Sequence, residues 1–268
     1  MNNSQTKKSK RLIKYGDLFK LGEHFLLCGN AKDSVLINEF LKDQKIKTIL
    51  SDVPYGINYV ESKNGFNQKI AKPKEIIGDQ YQSDADYSLF TQKWLEIVKP
   101  YLKRKNSVYI FNSDKMIFAL REGMLSAGYK FSQLLIWIKN HSVIGRKDYL
   151  LQHELIAYGW FGCHDFRKSK DKSILFYPKP NKNTLHPTMK PVGLLRRLIL
   201  NSTDTNETIY DPFAGSGSLM VACEQTKRKC LMVEIDSEYC QTIIERFEKI
   251  SKEKVEKVTI LNAKNNHL

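Results

Sequence analysis

Tyr210 to Asp236 read "YDPFAGSGSLMVACEQTKRKCLMVEID", and the order of residue types in this stretch fixes a fold class. An apolar strand ends at Asp211, a loop of small residues follows, a helix runs from about Ser218, and a second strand ends at Glu234. Gly215 and Gly217 permit positive φ and a close approach of backbone to a ligand. The free N–H groups at the start of the helix point to the same place. Glu234 falls where the second strand of a mononucleotide fold offers a carboxylate to ribose hydroxyls. A dinucleotide fingerprint would want a third glycine where Met220 stands, and a phosphate-cradling Gly-Lys-Ser/Thr is absent. The unit therefore suits an adenosine whose 5′ substituent is not a pyrophosphate. Taken alone, the same glycines also fit a plain helix-packing turn.

Outward from this unit, short β-rich apolar runs alternate with helical patterns, as in a parallel sheet flanked by helices. Strands are expected at His24–Gly29, Lys47–Asp52, Ser107–Asn112, Phe131–Lys139, His153–Trp160, Glu207–Asp211 and Lys229–Ile235. Helices are expected at Ser34–Leu41, Tyr87–Val98, Lys115–Ala127, Val192–Ser202, Ser218–Thr226 and Ser237–Ser251. Seven strands with interleaved helices describe one doubly wound α/β domain over residues 1–268. Gly56 to Gln80 lacks periodicity and reads as a long mobile loop. Phe161 to Leu185 reads as a basic insertion containing aromatics, a mixture suited to contacts with nucleic acid.

A second constellation is "SDVPYG", Ser51 to Gly56, which follows the apolar run Lys47–Leu50. Pro54 lacks an N–H and pushes Val53 towards an extended conformation, so the strand ends in a rigid turn at the edge where open α/β sheets place their chemistry. A third is "LHPTMKPVGLLRRLI", Leu185 to Ile199, in which Pro191 suits the first turn of a helix. His186, Thr188 and Lys190 lie on the approach to that helix, as incidental polar residues or as a lid in which Lys190 meets a carboxylate.

Composition narrows the partners. The formal charge is +14, and a basic surface gains affinity for a polyphosphate by releasing counterions. Yet 34 of the 43 basic residues are lysine, so a general lysine bias explains the charge as well. Five cysteines without a CxxC pair argue against a disulfide framework and against a zinc knuckle, and no metal site is expected. The longest apolar runs are far short of a bilayer span and the polar start has no apolar core, so a cytoplasmic location is expected.

Together these motifs resemble the S-adenosylmethionine-dependent DNA amino-methyltransferases in the permuted order of the β group. Asp52-Val53-Pro54-Tyr55 matches the catalytic tetrapeptide Asp-Pro-Pro-Tyr, "DPFAGSG" the cofactor loop, and "HPTMKP" the third element. The resemblance covers about Tyr15 to Ile250. It implies a Rossmann-like methyltransferase fold with a seven-stranded, mostly parallel sheet, S-adenosylmethionine as cofactor and double-stranded DNA as partner. By that resemblance Asp211, Phe213, Gly215, Ser216 and Gly217 hold the methionine moiety and Glu234 the ribose, while His186, Thr188 and Lys190 close the site. In "CGNAKD", Asn30 stands where the family's Gly-Asp pair has the aspartate that contacts the adenine, and Ala31 beside it is expected to bind the cofactor as well. Val53 replaces a proline but keeps the backbone carbonyl.

Asp52 favours N6 of adenine as the acceptor. N4 of cytosine is the alternative, as is a catalytically weak DNA-binding relative, for which Asn30 and Val53 would be the signs. The target base would be flipped out of the duplex, and DNA contacts would fall to Arg167, Lys168, Lys170, Lys172, Lys179 and Lys182. So small an insertion implies a short recognised site. A homodimer and a cognate restriction endonuclease are partners compatible with this reading.

Overall fold

The structure is a computed structural model that describes residues 12–57, 79–142, 148–168, 170–179 and 189–259. Its described strands form one sheet in the order β10-β1-β2-β9-β8-β3-β4-β6-β5-β7. These are β1 (Leu18–Leu21), β2 (His24–Cys28), β3 (Ile46–Asp52), β4 (Leu102–Asn112), β5 (Lys130–Ile138), β6 (His153–Trp160), β7 (Ile174–Phe176), β8 (Thr208–Asp211), β9 (Lys229–Glu234) and β10 (Glu256–Val258). All seven expected strands are among them. β1, β7 and β10 are additional, so the expected count of seven is corrected to ten described strands. Each addition pairs over only three or four residues towards an edge of the sheet, too short to show a two-residue alternation.

The central five strands, β2-β9-β8-β3-β4, are parallel. β6 runs antiparallel to both β4 and β5. The helices are α1 (Ser34–Leu41), α2 (Asp84–Val98), α3 (Ile117–Ser126), α4 (Val192–Ser202), α5 (Ser218–Thr226) and α6 (Ser237–Ser251). α2 begins three residues earlier than its apolar pattern suggests. The Ser83 hydroxyl caps it by accepting from the Asp86 N–H at 3.2 Å, and Asp84 and Asp86 favour the positive end of the helix dipole.

Alternation along the strands buries both faces of the sheet. Val108 and Ile110 of β4 join Leu95 of α2 and Leu120 of α3 on one side, and Tyr109 and Phe111 join Leu198 of α4 and Met220 of α5 on the other. The chain leaves β3 through α2 towards β4, and leaves β8 through α5 towards β9, in opposite directions across the sheet. The order therefore reverses between the neighbouring strands β3 and β8, and a crevice is left beyond their carboxyl ends.

Candidate active site

A cavity of ≈ 720 Å³ occupies that crevice, within the range of about 300–1,000 Å³ usual for ligand clefts. Asp52, Val53, Pro54 and Tyr55 line it from the end of β3, and Asp211, Phe213, Gly215 and Ser216 from the end of β8. Asn30 and Ala31 line it beyond β2, Glu234 at the end of β9, and Lys190 on the approach to α4. His186 and Thr188 lie outside the described residues.

The two constellations touch. The Ser51 hydroxyl donates to Asp211 Oδ1 at 2.6 Å, and the Phe213 N–H donates to the same oxygen at 3.1 Å. Glu234 accepts from the Gly215 N–H at 2.7 Å and from the Asp236 N–H at 2.9 Å. Burial pushes both carboxyls up to about 7, against the opposing effect of these hydrogen bonds. Gly215 holds a left-handed φ of 53° in the loop between them.

Gly217 behaves differently from the other turn residues and does not line the cavity. Its φ is 74°, and a Cβ there would stand 3.0 Å from Ile243 Cγ1. It serves the close packing of α6 against the start of α5. The Asn30 side-chain oxygen turns back to accept from the Lys32 N–H at 2.9 Å.

The Asp52 end carries a denser network. Tyr55 Oη donates to Asp52 Oδ1 at 2.9 Å, and Lys190 Nζ donates to Asp52 Oδ2 at 2.5 Å. Lys190 also pairs with Glu154 at 3.1 Å, and Lys139 pairs with Glu154 at 2.7 Å. Burial alone would raise the Glu154 carboxyl, yet the two ammonium groups hold it at about 2. Burial raises the Asp52 carboxyl, with Lys190 opposing and Glu154 adding to the rise. The turn is braced from below, where Tyr87 Oη donates to the Pro54 carbonyl at 2.9 Å and accepts from Asn112 Nδ2 at 2.8 Å. Val53 is buried among the residues of the α2 and α3 side. That packing holds the turn where the family's proline would stiffen it.

Ser51, Tyr87, Lys139 and Glu154 escaped the sequence reading. Lys139 and Glu154 had one available signal, a charge beside the end of an apolar strand. Their meeting at one place depends on the pairing of β5 with β6, and the sequence does not show that pairing.

The basic insertion lies apart from the cavity. Because β6 runs antiparallel to β4, it carries the chain away from the cavity, and Phe161 onwards lies at the opposite end of the sheet. Asp165 pairs there with Lys47, five residues before Asp52 on β3 and so about 17 Å from it along the strand. Arg167 pairs with Asp204 at 2.5 Å just past α4, and Asp171 pairs with Arg197. Lys168, Lys170 and Lys172 are exposed in this same segment. The chain returns to the cavity only along β7, after which Lys179 lines it. Arg167, Lys168, Lys170 and Lys172 therefore lie apart from Lys179 in this fold, and Lys182 lies outside the described residues.

A cavity at the switch point of a doubly wound sheet, with a carboxylate-bearing turn facing a glycine loop across it, is the ligand site of a doubly wound α/β protein. A family model described as DNA methylase, for the N6 and N4 amino-methyltransferases, matches residues 46–179 and 169–245, and the chain belongs to that family. It is a DNA amino-methyltransferase.

The chain is 23% identical over 236 residues to the type II methyltransferase M2.LlaDCHI of Lactococcus lactis subsp. cremoris, covering 81% of this chain and 87% of that protein. With M2.DpnII of Streptococcus pneumoniae it shares 24% over 232 residues, 78% of this chain and 84% of the relative. Among solved structures it resembles the M1.HpyAVI–SAM complex, with a TM-score of 0.61 and 23% identity over 82% of this chain and 98% of that one. It also resembles the cytosine-N4-specific PvuII DNA methyltransferase, with a TM-score of 0.62 and 15% identity over 88% and 92% of the two chains. Among the described residues no helix is long and apolar enough to cross a membrane.

Proposed function

We propose that this protein, acting as a single domain, transfers a methyl group from S-adenosylmethionine to N6 of an adenine flipped out of duplex DNA. The observation that carries this reading is the shared cavity: Asp52 at the tip of β3 and the glycine loop after β8 face one another across it, and Ser51 and Asp211 tie the two strand ends together.

The cofactor fits the residues present. The Phe213–Ser216 loop and Asp211 would hold its methionine end, Glu234 the ribose, and Asn30 and Ala31 the adenine. When bound there it supplies an electrophilic methyl on a sulfonium. The protein's own part is to present the acceptor. An exocyclic amine is a poor nucleophile because its lone pair is delocalised into the ring. Hydrogen bonds from the amine to Asp52 and to the Val53 carbonyl favour a pyramidal nitrogen and stabilise the charge that develops on it. Tyr55 gives the base a face to stack on. Alignment of this kind is worth roughly 7–11 kcal/mol of barrier.

Flipping the base costs a few kcal/mol, and DNA would lie over the carboxyl ends of the strands, with Lys179 among its contacts. Homologous type II methyltransferases make a restriction partner and a short recognised site consistent with this role.

Incubation with tritiated S-adenosylmethionine and unmethylated DNA, followed by nucleoside chromatography, tests the reading. Label in N6-methyladenosine, lost in Asp52→Ala, is expected. Label in N4-methylcytosine would move the acceptor to cytosine, and unlabelled DNA would overturn the catalytic reading.

A further inference from the structure

Four charged side chains of alternating sign run in one line along the Asp52 end of the cavity. Lys139 follows β5, Glu154 lies near the start of β6, Lys190 approaches α4, and Asp52 ends β3. The successive N–O distances are 2.7, 3.1 and 2.5 Å. Lys190 is further fixed by aromatic faces, its Nζ lying 5.2 Å from the Phe111 ring centroid and 5.7 Å from that of Tyr55. Two carboxylates and two ammoniums leave the line neutral. A buried ion pair adds little net stability over an apolar substitute, so stability alone is a weak reason for the arrangement.

Chemistry supplies a better one. An ammonium bound to Asp52 alone would draw electron density from Oδ2 and repel the positive charge that grows on the target nitrogen. Glu154 offers that ammonium a second anion, through the Oε2 that also lies 3.3 Å from Tyr55 Oη. Lys139 in turn keeps Glu154 in place.

We propose that Glu154 is a positioning residue for methyl transfer: it anchors the Lys190 ammonium between two carboxylates, so that Asp52 is held in orientation yet keeps its acceptor strength for the target amine. This inference rests on the reading of Asp52 as the group that meets the amine. Among the described residues, the other groups facing Asp52 are Tyr55 on its own turn, Tyr87 from α2 and Asp211 from β8. None of these is a cation, so Lys190 and the Glu154 behind it govern the balance.

The test is the pH profile of kcat, measured with tritiated S-adenosylmethionine and saturating unmethylated DNA. In Glu154→Gln, Lys190 is left to Asp52 and a neighbouring negative charge is gone, so the acid limb should move to lower pH by about one unit while the plateau falls roughly tenfold. In Lys190→Met the limb should move the opposite way. KM for S-adenosylmethionine should stay within about twofold in Glu154→Gln, because the change acts at the acceptor end.

Removing Glu154 leaves Lys139 without its partner and can cost stability. The double variant Lys139→Met, Glu154→Gln removes that problem and should show the same downward limb. A folded Glu154→Gln protein with the wild-type limb and plateau overturns the inference, as does an upward limb in both single variants. If Glu154→Gln is silent while Asp52→Ala is inactive, only the role of Glu154 falls. If Asp52→Ala retains full activity, the catalytic reading falls with it.

Discussion

The two ends of the cavity surround their carboxylates with different partners. At the Asp52 end each acid is matched by an ammonium, and Glu154 is held at about 2. At the glycine-loop end Asp211 and Glu234 are buried, have among the described residues only hydroxyl and backbone N–H donors, and sit at about 7. The first end already carries its counter-charges, whereas the second is short of positive charge by up to two units. A cationic cofactor would supply it. The difference separates a site organised by the protein alone from one organised around a ligand.

The largest expected effect breaks the first end. Asp52→Asn keeps the shape of the turn but leaves Lys190 with one carboxylate and offers the amine a weaker acceptor. Its kcat should fall by roughly 10²–10³-fold, with cofactor binding by calorimetry close to wild type. Next comes the linkage at the second end. An acid raised to about 7 in the folded protein and lower in a cofactor complex must release its proton on binding. Binding of S-adenosylmethionine should therefore tighten between pH 6 and pH 8, by up to about tenfold for each carboxyl, as read by calorimetry. The same raised values stabilise the cofactor-free protein below the unfolded acid range, an advantage lost as pH rises through about 7. Binding that stays constant between pH 6 and pH 8 would remove the contrast.

A smaller effect sharpens the join between the ends. Ser51→Ala leaves the buried Asp211 carboxyl without its hydroxyl donor, which should cost about 1–3 kcal/mol of stability in urea unfolding. Because neutral Asp211 tolerates the loss better than the carboxylate, the cost should shrink as pH falls below about 7.

Much of this contrast was visible in the chain before any coordinates. Asp52 and Asp211 announce themselves because each ends an apolar strand and precedes a stiff or glycine-rich turn. Glu154 does not, since its significance comes from β5, β6, β3 and the approach to α4 converging on one point, and no local pattern encodes that. The edge strands β1, β7 and β10 were hidden by their length. The glycine pair was legible as a turn, but only the packing of Ile243 shows that Gly217 serves the helix interface while Gly215 serves the cavity wall. The place of the basic insertion is set by topology. A run that follows a strand lies at the catalytic edge if the strand is parallel to β3 and at the opposite edge if it is antiparallel, and the sequence of β6 is the same in either case.

That reversal gives the smallest expected effect, outside both ends of the cavity. Replacing Lys168, Lys170 and Lys172 together with alanine removes three exposed charges about a strand length from Asp52. If duplex DNA lies over the carboxyl ends of the strands, none of the three reaches a phosphate. The affinity for a methylatable duplex should then change by less than about twofold, and the slope of log K against log salt should stay the same. Lys179→Ala, at the cavity wall, should lower that slope by about one. Should the triple variant lose the larger share of the slope, DNA must wrap to the far edge, and the two-ended view of the cavity would gain a third contact region where the ion pairs of Arg167 and Arg197 now hold the segment down.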